Sequence, residues 1–324
     1  MTPQLMFVFP GQGAQYAGIG SDLYREYASA RQIYDRAGET LGYDIAELSF
    51  TGPEETLKLT RHTQPVLLTH HIACLSVFRE LTEDRVQPDI AAGHSLGEYS
   101  ALMATGVLDF EDALRLVRKR GELMGELGAG EMAALPLPLD EAGPLAEKHY
   151  CAVAGLNLRD QTVVGGLPED LDRLEAELAE TQPRKRPVRL KTEGAFHTYY
   201  MVGAAREYRS VLEGVRFSEG RGRILSNYTG GFHDLDPAAI RTRLFFQLFH
   251  PVRWLDNLHA AMGAGVNRII EFGGGIGKGE SPADKRPNLE SMIKKVQRGA
   301  EHPIDYLPAI NLETIAAAAD VLRG

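Results

Sequence analysis

Asp89-Ile90-Ala91-Ala92-Gly93-His94-Ser95-Leu96-Gly97-Glu98 is the stretch on which the reading of the fold turns. Its first four residues read as a short buried strand, and Leu96, Tyr99, Ala101, Leu102 and Met103 populate a helix that runs toward Gly106. Between them stands Gly-x-Ser-x-Gly, the spacing of a nucleophile elbow. A strand that turns abruptly into a helix leaves the serine in a strained conformation, and side chains at the flanking positions would collide across the turn. Ser95 is then expected at a helix N-terminus, where the dipole and the free first-turn amides favour a developing oxyanion. The pentapeptide alone also fits an ordinary turn; the strand before it and the helix after it favour acyl chemistry.

Outward from the elbow, short apolar strands alternate with helical patterns, which predicts an α/β fold with a largely parallel sheet. The first strand, Met6 to Phe9, ends in Pro10-Gly11-Gln12-Gly13-Ala14-Gln15, a turn at the strand's carboxyl end, where such folds collect ligands. Helices are expected over Ser21 to Leu41, Gly52 to Leu59, Thr63 to Leu81 and Asp109 to Leu127. From Gly128 to Gly194 the rhythm changes to strand, helix, strand, strand, helix, strand, the βαββαβ order of a ferredoxin-like unit. The expected organisation is thus a large α/β-hydrolase-like domain, residues 1–127 and 195–324, with a small subdomain inserted at 128–194 and a cleft between them. The large domain resumes with a helix near Tyr200 to Leu212, a strand at Arg223 to Ser226, a helix at Pro237 to Phe249 and a strand at Arg268 to Phe272. Gly273 to Asn288 is the most loop-like segment.

A chain of 324 residues can bury a substantial core. Its 35 basic and 44 acidic residues give a net charge of -9, which argues against coating nucleic acid. Without a signal-peptide pattern or a membrane-length apolar run, a cytoplasmic location is expected. Cys74 and Cys151 make neither a disulfide framework nor a metal pattern and read as buried thiols. Two basic clusters stand out: Arg184-Lys185-Arg186 with Arg189 and Lys191, and Lys285-Arg286 with Lys294, Lys295 and Arg298. Such runs are solvated faces or contacts for an acidic partner.

A serine nucleophile needs a base, and ten histidines are available. His70 and His71 fall inside a helical pattern, and His62, His149, His233, His259 and His302 have nothing nearby to recommend them. His94 is expected to point away from Ser95, and His250 to end a helix before Pro251. His197, in Gly194-Ala195-Phe196-His197-Thr198, lies where the insert rejoins the large domain and faces the cleft.

Pro10 to Gln15, Thr63-Gln64-Pro65, Gly93 to Leu102, Arg120-Gly121, Gly194 to His197 and Pro251-Val252-Arg253-Trp254 occur in one order at fitting spacings. Together they resemble the malonyl-CoA:acyl carrier protein transacylase family, which includes acyltransferase domains of polyketide and fatty acid synthases. The resemblance runs from about Met6 to Gly275 and implies an α/β-hydrolase-like domain with a ferredoxin-like insert. It implies that Ser95 takes the acyl group and His197 serves as its base, in a dyad without a carboxylate. The histidine would be oriented by a main-chain carbonyl, best matched by Gln247, and the oxyanion held by the amides of Leu96 and Gln12. Gln64 is matched near the site, and also reads as a packing amide.

Arg120 would pair bidentately with the free carboxylate of malonate. It lies about 200° around a helix from Arg118, so at most one of the two faces the cleft. Siblings that hydrolyse stalled acyl chains commonly lack this arginine. Phe196 favours malonyl over methylmalonyl, a preference worth only about 1–3 kcal/mol for a single methylene. The chain departs from its relatives at Asn157-Leu158-Arg159, where many carry Asn-Ser-Pro, at Thr198-Tyr199-Tyr200-Met201, and at Gly273-Gly274-Gly275 with the longer loop that follows. That loop reads as a partner contact or as disorder.

The resemblance therefore implies malonyl-CoA as donor, the phosphopantetheine thiol of an acyl carrier protein as acceptor, and no bound metal or cofactor. With one catalytic unit in the sequence, the carriers are expected on other polypeptides, of polyketide or fatty acid synthesis, and the departures tilt toward polyketides. Arg184, Lys185, Arg186, Lys285, Arg286 and Arg298 are the expected docking cations, since carriers are typically acidic. The alternatives are a proofreading acyl-carrier hydrolase on the same scaffold, a silent carrier-docking protein and, more remotely, a lipase-like esterase.

Overall fold

The structure, a computed structural model, describes residues 4–299 and 303–323. The strands are β1 (Gln4–Phe9), β2 (Ile90–Gly93), β3 (Glu131–Leu135), β4 (Ala152–Leu158), β5 (Gln161–Gly166), β6 (Val188–Leu190), β7 (Arg223–Ser226), β8 (Gly231–Phe232), β9 (Val266–Phe272) and β10 (Asp305–Ala309). Six of them form one sheet in the order β10-β9-β1-β2-β7-β8. All its neighbours run parallel except β7 and β8, which pair antiparallel.

Successive side chains of a strand point to opposite faces, so a central parallel strand covered on both sides needs apolar residues throughout. Strand β1 supplies them. Phe7 and Phe9 pack with Phe78 and Phe272 on one face, the Phe7 and Phe272 rings 4.8 Å apart. Met6 and Val8 join Ile90, Leu225 and Trp254 on the other. The nucleophile elbow follows the carboxyl end of the interior strand β2, which makes the large unit α/β-hydrolase-like in its strand, turn and helix.

The other four strands form a separate antiparallel sheet in the order β4-β5-β3-β6. Numbered within the unit this is 2-3-1-4, the ferredoxin-like order. Helices Leu139–Lys148 and Pro168–Thr181 back it, around Leu135, Val164, Leu171 and Leu174. The edge of β4 touches the large unit, with Leu156 N donating to Val252 O and Val252 N to Ala154 O.

Several boundaries differ from the sequence reading. The helix expected over Ser21 to Leu41 is two, Ser21–Glu26 and Ala28–Leu41, broken at an extended Tyr27 that no Gly or Pro announces. The helix expected from Thr63 begins at Thr60 and carries Pro65 inside it. The helix expected to reach Phe249 ends at Gln247, which leaves the Gln247 carbonyl without an intrahelical partner. Strand β10, not expected from the sequence, carries Pro308 at the sheet's edge, where proline is tolerated. Helices Trp254–Gly263, Glu290–Val296 and Leu312–Arg323 were also not anticipated. The loop after Gly273 is ordered by a bridge between Ile276 and Arg286 and by a Ser281–Asp284 capping box.

Candidate active site

Strand β2 delivers Ser95 to the start of helix Gly97–Ala104 with a left-handed φ of 51°, strained for a residue with a side chain. The elbow admits no side chain on either side. A Cβ on Gly93 would lie 1.8 Å from the carbonyl carbon of Gly97, and one on Gly97 would lie 2.1 Å from Phe9 O. The turn is thus wedged against the end of β1, where the Pro10–Gln15 segment begins.

Ser95 Oγ lies 2.8 Å from His197 Nε2, and His197 Nδ1 lies 2.7 Å from Gln247 O. A carbonyl only accepts, so it places the ring proton on Nδ1 and leaves the Nε2 lone pair for the serine hydroxyl. The early helix end at Gln247 supplies that carbonyl. Burial, then the nearby Arg120 charge, pull the His197 pKa down to about 3 against the opposing pull of the Gln247 carbonyl. The imidazole is therefore neutral at pH 7 and can act as a base.

Arg120 is buried on helix Phe110–Leu127, whereas Arg118 reaches the surface and pairs with Glu122. Arg120 Nη1 donates to Gln64 Oε1 at 3.0 Å; Nη2 donates to Ser95 Oγ at 3.1 Å and to Gln247 Oε1 at 2.9 Å. Among the described residues no carboxylate is within ion-pair distance of it, and its Nε has no partner. A guanidinium held only by neutral groups in a buried site is built to receive an anion. Its neighbour Gln64 turns its amide nitrogen to Met124 Sδ.

Among the described residues the main-chain amides of Gln12 and Leu96 donate to no protein group. The Ser95 amide, by contrast, is taken by Asn227 Oδ1 at 2.6 Å. Gln12, Gln64, Leu96, Arg120, Asn157, Phe196 and His197 line one cavity with Ser95, of about 470 Å³, between the two sheets. Its far wall is apolar, with Met124, Met132, Val163 and Phe196. His94 also borders this cavity but makes no hydrogen bond with Ser95; its Nε2 lies 2.8 Å from Asn157 Oδ1 on β4. Asn288 and Met292 border it too, on a segment whose Asn288 and Leu289 amides donate to the buried Glu271 carboxylate. Burial raises the Glu271 pKa to about 7.

Three residues that sequence reasoning missed stand beneath the dyad. Glu98 is fully buried in the first turn after the elbow. Its Oε2 accepts from Asn227 N at 3.0 Å and Gln247 Nε2 at 2.8 Å, and its Oε1 faces His233 Nε2 at 2.7 Å. His233, set aside on sequence, is thus part of the site's foundation, while His302 lies outside the described residues. The first turn's acidic residue was visible as Glu98, but nothing marked its partners.

Part of each basic cluster is engaged with the chain itself. Lys185 donates to Pro136 O, Lys285 to the carbonyls of Gly277 and Gly279, and Arg189 is paired with Glu131, Asp172 and Glu175. Arg189 is thus balanced by carboxylates, whereas Lys185 and Lys285 keep their charge, since a neutral carbonyl accepts a hydrogen bond without neutralising an ammonium. Arg184, Arg186, Arg286 and Arg298 are exposed, and so is Lys191, which also borders the cavity. Among the described residues no group of three or more His, Cys, Asp or Glu could hold a metal ion, and no helix is long and apolar enough to cross a membrane.

The acyl transferase domain family matches residues 6–228. The chain is 36% identical over 329 residues to the malonyl CoA-acyl carrier protein transacylase of Bacillus subtilis (strain 168), covering 99% of this chain and 98% of that one. It is 34% identical to the polyketide biosynthesis malonyl CoA-acyl carrier protein transacylase BaeC of Bacillus velezensis, over 84% of this chain and 93% of that one. The crystal structure of malonyl-CoA:acyl carrier protein transacylase from Xanthomonas oryzae pv. oryzae superposes with a TM-score of 0.87 at 33% identity, covering 99% of each chain. The chain belongs to the acyl transferase family and, within it, to the malonyl-CoA:acyl carrier protein transacylases.

Proposed function

We propose that this chain moves a malonyl group from malonyl-CoA to the phosphopantetheine thiol of an acyl carrier protein through an ester on Ser95. The observation that carries the substrate is Arg120, buried 3.1 Å from Ser95 Oγ with amide and hydroxyl partners only. A malonyl carboxylate would give this guanidinium a bidentate, charge-assisted partner while Gln64 and Gln247 hold it in place. The names of its relatives support the same donor and acceptor, and BaeC extends the support to polyketide carriers. A cytoplasmic location and carriers on other polypeptides belong to the same proposal.

His197 Nε2 takes the Ser95 proton as Oγ attacks the thioester carbonyl. The oxyanion is received by the Gln12 and Leu96 amides. Collapse expels the coenzyme A thiolate, which takes the proton back from His197. The pantetheine thiol then gives its proton to His197 and attacks the Ser95 ester; collapse breaks the bond to Ser95 Oγ, which takes the proton back from His197 as the malonyl thioester leaves on the carrier. Phe196 and the methionines of the apolar wall limit the α-substituent, while Asn157 orients the wall through His94.

Intact-protein mass after brief incubation with malonyl-CoA, methylmalonyl-CoA or acetyl-CoA tests the reading. The expected result is a malonyl adduct that requires Ser95, weakens in Arg120→Ala and persists until a holo carrier protein is added. An adduct lost within seconds to water would replace the transferase by the hydrolase, and no adduct from any donor would overturn both.

A further inference from the structure

We infer that Glu98 and His233 form a buried positioning pair that holds Gln247 and Asn227 in register and so sets the geometry of the dyad and of Arg120. The inference rests on the Ser95 acyl-enzyme reading above.

The argument begins with the two amide side chains that touch the reacting region. Gln247 does three things at once. Its main-chain carbonyl orients His197, its Oε1 accepts from Arg120, and its Nε2 donates to Ser95 O at 3.0 Å. Asn227 accepts from Ser95 N and donates Nδ2 to Gly93 O at 2.7 Å, clamping both ends of the elbow. An amide side chain can rotate by half a turn and exchange its donor and acceptor ends. A flipped Gln247 would set its NH₂ against the Arg120 guanidinium, and the fork that receives a carboxylate would lose its alignment.

Glu98 opposes that flip. Its Oε2 accepts from Gln247 Nε2 and from Asn227 N, so only one orientation of Gln247 satisfies both sides. The carboxylate is held in turn by His233 Nε2 on Oε1, both side chains being fully buried. His233 itself is fixed by its amide, which donates to Ile224 O at 2.7 Å on β7. One carboxylate thus joins the elbow helix, the segment after β7, the segment after β8 and the end of the helix that supplies the His197 carbonyl. The Glu98 and His233 side chains make no hydrogen bond to Ser95 or His197, so they act through Gln247 and Asn227.

The test compares His233→Leu with His233→Gln, whose Nε2 reaches the position of the lost ring nitrogen. Single-turnover acylation by malonyl-CoA is followed by mass, with melting temperature measured alongside and rates expressed per folded molecule. His233→Leu is expected to slow acylation at saturating donor on the order of tenfold to a hundredfold, the cost of small misplacement of reacting groups. Half-saturation should move far less, and His233→Gln should recover most of the rate. A His233→Leu protein that melts lower yet acylates at the wild-type rate would reduce the pair to a structural role and overturn the inference, as would a His233→Gln no better than Leu. Should His233→Leu not fold, His233→Asn, too short to reach Oε1, carries the same expectation. A wild-type chain that forms no adduct would defeat the parent reading first, and this inference with it.

Discussion

The floor of the cavity and the outer surface use charge in opposite ways. Beneath Ser95, Arg120 and Glu98 are buried and both hydrogen-bond the Gln247 side-chain amide. On the surface, Lys185 and Lys285 donate to carbonyls of their own chain, Arg189 is ion-paired, and Arg184, Arg186, Arg286 and Arg298 stand in solvent. A charge in a low-dielectric site interacts strongly and cannot be replaced by water, whereas exposed charges are screened within about 10 Å at ordinary ionic strength. Floor substitutions should therefore change rate constants by orders of magnitude, and surface substitutions should change encounter with a partner by small factors.

The largest effect belongs to the dyad. Ser95→Ala or His197→Ala should reduce acylation by roughly 10⁴-fold or more, as when a nucleophile or its base is removed elsewhere. Stopped incubation with malonyl-CoA and mass detection checks it; an adduct that survives Ser95→Ala would move the nucleophile elsewhere. Next comes Arg120→Ala, which should slow malonyl loading by about 10²–10³-fold, the scale of truncating one partner of a buried charge pair. Acetyl loading, with no carboxylate to pair, should change much less, and competition between the two donors reads the ratio directly. Equal losses for both would mean that Arg120 holds the floor together instead of reading the substrate.

The same arginine makes a pH prediction. Activity needs neutral His197, whose folded-state pKa is depressed by burial first and by Arg120 second. The acid limb of kcat/KM should accordingly lie well below the ordinary histidine value of about 6.5. Removing the Arg120 cation makes protonation easier, so in Arg120→Ala the limb should shift to higher pH while burial keeps it below that value. A neutral acetyl thioester without phosphates is the substrate of choice. A limb that does not move would assign the depression to burial alone.

Where the sequence was legible, short-range order made it so. The elbow, the dyad and the fork residue each sit in a local motif whose glycines or spacing carry the geometry, and even the Gln247 carbonyl follows from a segment that resembles its relatives'. The foundation beneath them was not legible. Asn227 lies 132 residues from Ser95 and His233 lies 135 from Glu98, and a single asparagine or histidine in a loop has no periodicity to betray it. The surface cations were legible only as composition, which shows where they cluster but not which carboxylates pair with them. Arg189 looks like Arg184 and Arg186 in sequence, yet it is paired with three carboxylates while those two stand in solvent.

That last distinction yields the smallest effect, and it separates docking from structure. Arg184→Glu with Arg186→Glu should raise the half-saturating concentration of an acidic carrier protein by a few-fold at low salt, in keeping with the modest worth of exposed charges. Malonyl-CoA loading of Ser95 should be untouched, because the floor does not feel a screened charge on the surface. The carrier effect should fade as ionic strength rises, since steering between exposed charges is what salt removes. Lys185→Glu is the comparison: it reverses a charge in the same cluster and also breaks the bond to Pro136 O, so it should lower melting temperature and add a salt-dependent loss of carrier affinity smaller than that of the double reversal. If Lys185→Glu alone weakens the carrier as much as the exposed pair does, the cluster acts through its net charge and not through Arg184 and Arg186 themselves. If neither change is felt by the carrier, this face is a solvated one and docking must be sought at the other exposed cations, Arg286 and Arg298.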